Sequence, residues 1–171
     1  MSERRTHQSA IPMEIYTDGS LKKMGATMTF GGWGFIVLKD GKRIYEKDGS
    51  EYDTTNQRME LTAIKEAIAY AESVRRPNEP VFIYSDSAYV INCYEQDWYI
   101  KWLNNGWRNG QRQEVANQDL WREIIPYFDN FWYHFIKVPA HQQNYWNNRT
   151  DELAQGAALH LKHSWRGIDN A

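Results

Sequence analysis

The sequence predicts an α/β fold built on a mixed five-stranded sheet, three strands antiparallel and two parallel, flanked by helices. Three observations carry this expectation. The chain opens with three β-rich runs, two of them joined by Asp40-Gly41, the dipeptide of a tight hairpin. Two later strand-like runs alternate with helical patterns, as βα units do. Two long stretches repeat apolar residues at helical spacing.

Residues 13–17 read as a strand that stops at Asp18-Gly19-Ser20, a turn signal. Residues 33–38 and 44–47 are the hairpin pair. Over 56–74, Met59, Ala63, Ile64, Ala67, Ile68 and Ala71 mark one face of a helix. Pro77 and Pro80 then frame the return to a short apolar strand, 81–85. Helices are expected at 87–94 and 117–128, with an aromatic and β-branched strand between them and the end at 131–138. The last helix, 148–162, carries Leu153, Ala154, Ala157, Ala158 and Leu161 on one face. Residues 1–12 and 164–171 read as polar tails around a single domain, 13–163.

A chain of 171 residues suits one domain with a real core. No apolar run approaches the roughly 18 residues of a membrane helix, and no secretory signal is readable. The single Cys93 excludes an internal disulfide and a cysteine zinc cluster. It fits a reducing compartment, so a cytoplasmic monomer is expected. The net charge of −2 argues mildly against a nucleic-acid partner. Divalent cations held by carboxylates would reverse that argument locally, where a phosphate must approach.

Four carboxylates stand where packing alone would not put them. Glu60 precedes Ala63, Ile64, Ala67 and Ala71 at helical spacing, so it lies on the buried stripe. An ionised carboxylate there needs a positive or hydrogen-bonding partner. The plain alternative is a helix-edge Glu paired with Arg58 or Lys65. Asp151 sits likewise before Ala154, Ala158 and Leu161, with a first-turn, dipole-stabilised Asp as its alternative. Asp18 and Asp86 each end a strand, where α/β sheets bind ligands; a turn Asp and an N-cap are the alternatives. Four such groups cannot all ionise together without cations between them. All-oxygen donors suit Mg²⁺ or Mn²⁺, and a pair of such ions serves phosphodiester chemistry.

The segments around these acids resemble the type 1 ribonuclease H family. They are Tyr16-Thr17-Asp18-Gly19-Ser20, Thr54-Thr55-Asn56-Gln57-Arg58-Met59-Glu60-Leu61, Tyr84-Ser85-Asp86-Ser87, Val138-Pro139-Ala140-His141, and Asn147 through Ala154. The resemblance spans nearly all of 13–161. It implies a ribonuclease H-like fold with a handle protrusion. The implied activity is hydrolysis of the RNA strand of RNA/DNA hybrids, leaving 3′-hydroxyl and 5′-phosphate ends. It also implies two Mg²⁺ (or Mn²⁺) ions on Asp18, Glu60, Asp86 and Asp151. His141 matches a loop histidine that assists proton transfer or product departure.

On the substrate side the resemblance places Thr55 at a DNA-strand phosphate, and Asn56 and Gln57 at the minor groove, where 2′-hydroxyls mark RNA. Trp98, Trp102 and Trp107 match the handle, although core packing of these rings is the plain alternative. Family handles are usually lysine-rich; here Lys101, Arg108 and Arg112 stand among Asn and Gln. The chain also departs after Ser20, where 21–30 replaces a glycine- and proline-rich loop, and at Ala88, where a Gln is common. Rival readings are a DNA-preferring nuclease of the same fold and a non-catalytic hybrid-binding module.

Overall fold

The computed structural model describes residues 10–139 and 144–169, the side chains of 166–169 excepted. The sheet comprises β1 (Met13–Met24), β2 (Met28–Lys39), β3 (Lys42–Tyr52), β4 (Val81–Ser85) and β5 (Tyr133–Lys137). Its order is β3-β2-β1-β4-β5. Strands β1 to β3 pair antiparallel, while β4 joins β1 and β5 joins β4 in parallel. The expected mixed sheet is therefore present. Asp40 and Gly41 both take positive φ, 53° and 72°, as the tight β2–β3 turn requires.

The helices are α1 (Asn56–Val74), α2 (Ala88–Glu95), α3 (Trp98–Asn104), α4 (Gln118–Ile124) and α5 (Tyr145–Asp169). Alternation along the strands divides the apolar residues between two faces. Met13, Ile15, Phe35, Val37, Val81 and Ile83 join the main core beneath α1 to α4. Tyr16, Ile36, Leu38 and Val138 form a second, smaller core with Trp146 and Leu153 of α5. The run Phe35-Ile36-Val37-Leu38 is apolar throughout because both faces of β2 are covered. β3, an edge strand, is exposed along nearly its whole length.

Several boundaries differ from expectation, each for a physical reason. β1 does not stop at Asp18; it continues to Met24, paired with β2 as Asp18↔Gly34, Gly19↔Trp33 and Ser20↔Gly32. The turn-like Asp-Gly-Ser is overridden by this ladder, and Gly19 serves close packing instead. A Cβ there would fall 2.4 Å from the Glu60 backbone nitrogen. The helix expected over 117–128 ends at Ile124 and gives way to a 3₁₀ turn, Ile125–Tyr127, around Pro126. Apolar spacing does not predict helix α3, which stands where the resemblance places the handle. Asp97 before it is left-handed and offers no capping bond, so buried Tyr99 and Trp102 hold the helix rather than local signals. Helix α5 begins at Tyr145, where Asn144 Oδ1 accepts from the Trp146 and Asn147 N–H groups, 3.1 Å each. It runs on to Asp169, past the expected end at Lys162.

β2 seats both covering helices. A Cβ at Gly31 would meet Met59 of α1, and one at Gly32 would meet the Ala154 carbonyl oxygen of α5 at 2.0 Å. Gly32→Ala is expected to destabilise the protein by about 1–3 kcal/mol through overpacking against backbone. Gly156, also in α5, is exposed with open space at its Cβ position, so Gly156→Ala should stabilise by about 0.5–1 kcal/mol. Denaturant midpoints of the two variants will move in opposite directions if the helix seats on glycine as described.

Candidate active site

The parallel register builds the first half of the site. Tyr16 pairs with Tyr84 across β1 and β4, and their rings stack at 4.7 Å on the α5 side of the sheet. Two residues further on come Asp18, still within β1, and Asp86, the first residue past the end of β4. Asp86 is free for this role because Ser87, not Asp86, caps α2 through a bond from the Val90 N–H, 3.3 Å. Glu60 enters from α1, brought to β1 by the backbone contact at Gly19. One carboxylate oxygen of each of Asp18, Glu60 and Asp86 lies within 4.8 Å of the other two.

Glu60 finds neither of the partners considered for it. Arg58 pairs in fork fashion with Asp119 of α4 (2.8 and 3.0 Å), and Lys65 faces Glu66 and Glu123. Glu60 is only 6% exposed, and its Oε2 is buried without a hydrogen-bond partner. Asp18, 3% exposed, accepts one bond from the Gly19 N–H, 2.9 Å. Burial first, and then the charges of Asp86 and Asp151, push the Asp18 carboxyl up to about 8. Burial, followed by Asp18 and Asp86, drives Glu60 well above the usual carboxylate range. Asp86 is raised as well, by burial and by Asp151.

Asp151 approaches from α5 but stands outside the tight trio. It is the seventh residue of the helix, beyond the first turn, so a dipole-stabilised cap does not account for it. Its Oδ2 accepts from Gln155 Nε2 at 2.8 Å, and its charge reaches Asp18 and Asp86. Asn147, one turn earlier on α5, lies close enough to Asp86 for its side chain to oppose the rise of that carboxyl. Asn147 and Gln155 were not singled out from the sequence. Their spacing of four residues on either side of Asp151 was the available signal, since such residues share a helix face.

Crowded, buried, hard oxygen donors with one unpartnered oxygen fit a divalent cation of the Mg²⁺ or Mn²⁺ class. Without a cation the cluster retains protons instead.

Thr55 caps α1, accepting from the Arg58 N–H at 3.1 Å, and Thr55, Asn56 and Gln57 are exposed beside it. Trp102 and Trp107 are each 8% exposed; Trp102 packs on Trp121 at 5.5 Å, and the Arg122 guanidinium covers Trp107 at 4.3 Å. Most of their surface is therefore committed to the core. Trp98 lines a pocket of about 470 Å³ with Gln57, Lys101, Asn105 and Arg108. His141 lies outside the described residues.

Fold and acid cluster together define a metal-dependent nuclease. The RNase H family model matches residues 10–159. The chain is 43% identical over 148 residues to Ribonuclease H of Moorella thermoacetica, covering 86% of this chain and 92% of that one. Among solved structures it is similar to LC9-RNase H1, described as a type 1 RNase H with the type 2 active-site motif. The TM-score is 0.72 at 25% identity, covering 87% of this chain and 72% of that one. It also matches the foamy viral protease-reverse transcriptase in complex with RNA/DNA hybrid, at TM-score 0.76 and 21% identity, over 86% of this chain and 20% of that one; this likeness concerns the fold alone. The chain belongs to the RNase H family.

The raised Asp18 carboxyl predicts how cation-free stability depends on pH. Between the unfolded value of 3.8 and about 8, the folded protein holds a proton that the unfolded chain has released. Stability therefore falls as pH rises through this interval. Asp18→Asn should flatten that fall and raise stability near pH 8 by about 1–3 kcal/mol. Chemical denaturation with a chelator present is the measurement, and a wild-type midpoint that climbed from pH 5 to 8 would contradict the assignment.

Proposed function

We propose that this protein hydrolyses the RNA strand of RNA/DNA hybrids, with Asp18, Glu60, Asp86 and Asp151 holding two Mg²⁺ ions (Mn²⁺ as substitute). The observation that carries the reading is the buried, partner-poor carboxylate trio at the end of the β1–β4 ladder. Its setting in a member of the RNase H family supplies the substrate class.

When bound, such ions lower the pKa of an attacking water and neutralise charge on the leaving oxygen. The chain's own groups do the rest. Asp18 and Asp86 are fixed side by side by strand register, and Glu60 by helix seating, so little reorganisation is needed once a cation enters. Gln155 orients Asp151, and Asn147 stands close to Asp86. Water adds to phosphorus and the bond to the 3′-oxygen breaks, leaving a 3′-hydroxyl and a 5′-phosphate. His141, matched to the family's histidine by sequence, is suited to carry a proton to the departing product.

Recognition rests on Thr55, Asn56 and Gln57, whose exposed polar groups at the start of α1 suit 2′-hydroxyl and phosphate contacts. The pocket lined by Gln57, Trp98 and Trp102, in the place of the handle, serves the partner strand, and Trp107 packs against Trp102. The working unit is a single catalytic domain, 13–163, acting as a monomer. The buried, unpaired Cys93 suits a cytoplasmic setting.

A labelled RNA/DNA hybrid incubated with Mg²⁺ or Mn²⁺ should be cut in its RNA strand, and Asp18→Asn should lower the rate at least about 10²-fold. Cutting of duplex DNA in preference to hybrid, or full activity in the variant, would overturn the reading.

A further inference from the structure

The acids of this net-negative chain are unevenly placed. No Asp or Glu stands between Asp18 and Asp40, nor between Glu152 and Asp169. The first stretch is the β1–β2 hairpin; the second is α5 from just beyond Asp151. The fold lays one upon the other. Gly32 and Gly34 face Ala154, Ala158 and Leu153, Lys162 Nζ donates to the Lys23 carbonyl at 3.0 Å, and Trp165 lies against Phe30 and Tyr52.

Lys22 and Lys162 are thereby gathered on the α5 side at one end of the hairpin, with His160 and His163 on the same turns of α5, while the Lys23 side chain turns to the opposite face of β1. Among the described residues, none of the three lysines takes part in an ion pair. Asp53 is the acid nearest by topology. It bonds the Thr29 carbonyl at the end of β3, and Thr29 is itself the register partner of Lys23. Asp53 is thus two strands away and leaves the lysines unneutralised.

This basic end begins at the acid cluster. Alternation along β1 puts Asp18, Ser20 and Lys22 on one face, with Lys22 about 13 Å from Asp18 at ~3.3 Å per residue. It leads away from the cluster along the hairpin. A long polyanion cut at Asp18 can therefore lie along it.

We propose that the β1–β2 hairpin and the α5 segment upon it form a basic lobe that binds the phosphodiester backbone of the hybrid beyond the point of cleavage, through Lys22 and Lys162. The proposal rests on the hybrid-nuclease reading above. Lysines crowded without acids repel one another, and a phosphate backbone supplies the missing counter-charge. Point-charge ammonium groups grip it without reading base sequence, as a general hybrid nuclease requires. The lobe also offsets the amide-rich character of the segment around α3.

The test is hybrid binding by fluorescence anisotropy across a salt series, in an Asp18→Asn background that prevents cutting. Lys22→Ala and Lys162→Ala should each reduce the slope of log affinity against log salt by about 0.9 per phosphate released. At ~0.1 M salt this amounts to a loss of up to about eightfold in affinity. Lys42→Ala, exposed at the β2–β3 turn, is the control for net charge and should leave the slope as it was. A hybrid trimmed on the lobe side should abolish the difference between the lobe variants and their parent. Lobe variants that keep the parental slope, or an equal drop in Lys42→Ala, would overturn the lobe. Failure of the wild-type protein to cut hybrid would strike the functional reading instead, while the slopes still decide the lobe.

Discussion

The contact between the backbones of β1 and α1 at Gly19 is the constraint on which the rest of the site depends. A hydrogen in place of a side chain lets the first turns of α1 lie directly on the strand. Met59 then drops into the main core while Glu60, its neighbour, is forced against Asp18. Burial of Met59, Leu61, Ala63 and Ile64 supplies the free energy that holds a carboxylate where electrostatics alone would expel it. The site is strained in charge because the core is satisfied in packing.

The same logic operates on the opposite face. Ala154 and Ala158 press α5 onto Gly32, and Asn144 fixes its start, so Asp151 descends beside the Asp18–Asp86 pair from a rigid helix. Four elements, β1, α1, β4 and α5, thus bring acid groups together, and none can relax without unseating a helix. Charge crowding of this kind is a stability cost in the cation-free protein and a preformed affinity for hard cations once they are present.

Much of this was legible in the sequence, and the limits are instructive. Helical periodicity placed Glu60 and Asp151 inward, because burial of Ala63, Ala67, Ala154 and Ala158 writes itself into spacing. The tight turn at Asp40-Gly41 was readable because positive φ at both positions has a chemical signature. Asp18-Gly19-Ser20 misled for the same reason. Its composition announces a turn, while the actual use of Gly19 is a tertiary close approach that no local pattern encodes. Helix α3 was hidden because uncapped, left-handed Asp97 precedes it and its stability comes from Trp102 meeting Trp107 and Trp121. Of the three tryptophans read as handle residues, Trp102 and Trp107 have largely enclosed rings, while Trp98 stays half-buried; aromatic density does not reveal which way a ring points. The gathering of Lys22 and Lys162 depends on residues far apart in the chain and needed the fold to be seen.

Strand β3 carries a consequence of another kind. It leaves one side of its hydrogen-bonding ladder open at the sheet edge, a template onto which another chain could add. Lys42, Arg43, Glu46, Lys47, Asp48 and Glu51 stud that strand with both signs of charge. A second copy docking there would have to strip water from this mixture at every other residue. The mixed charges of β3 therefore oppose edge-to-edge polymerisation at this side of the sheet.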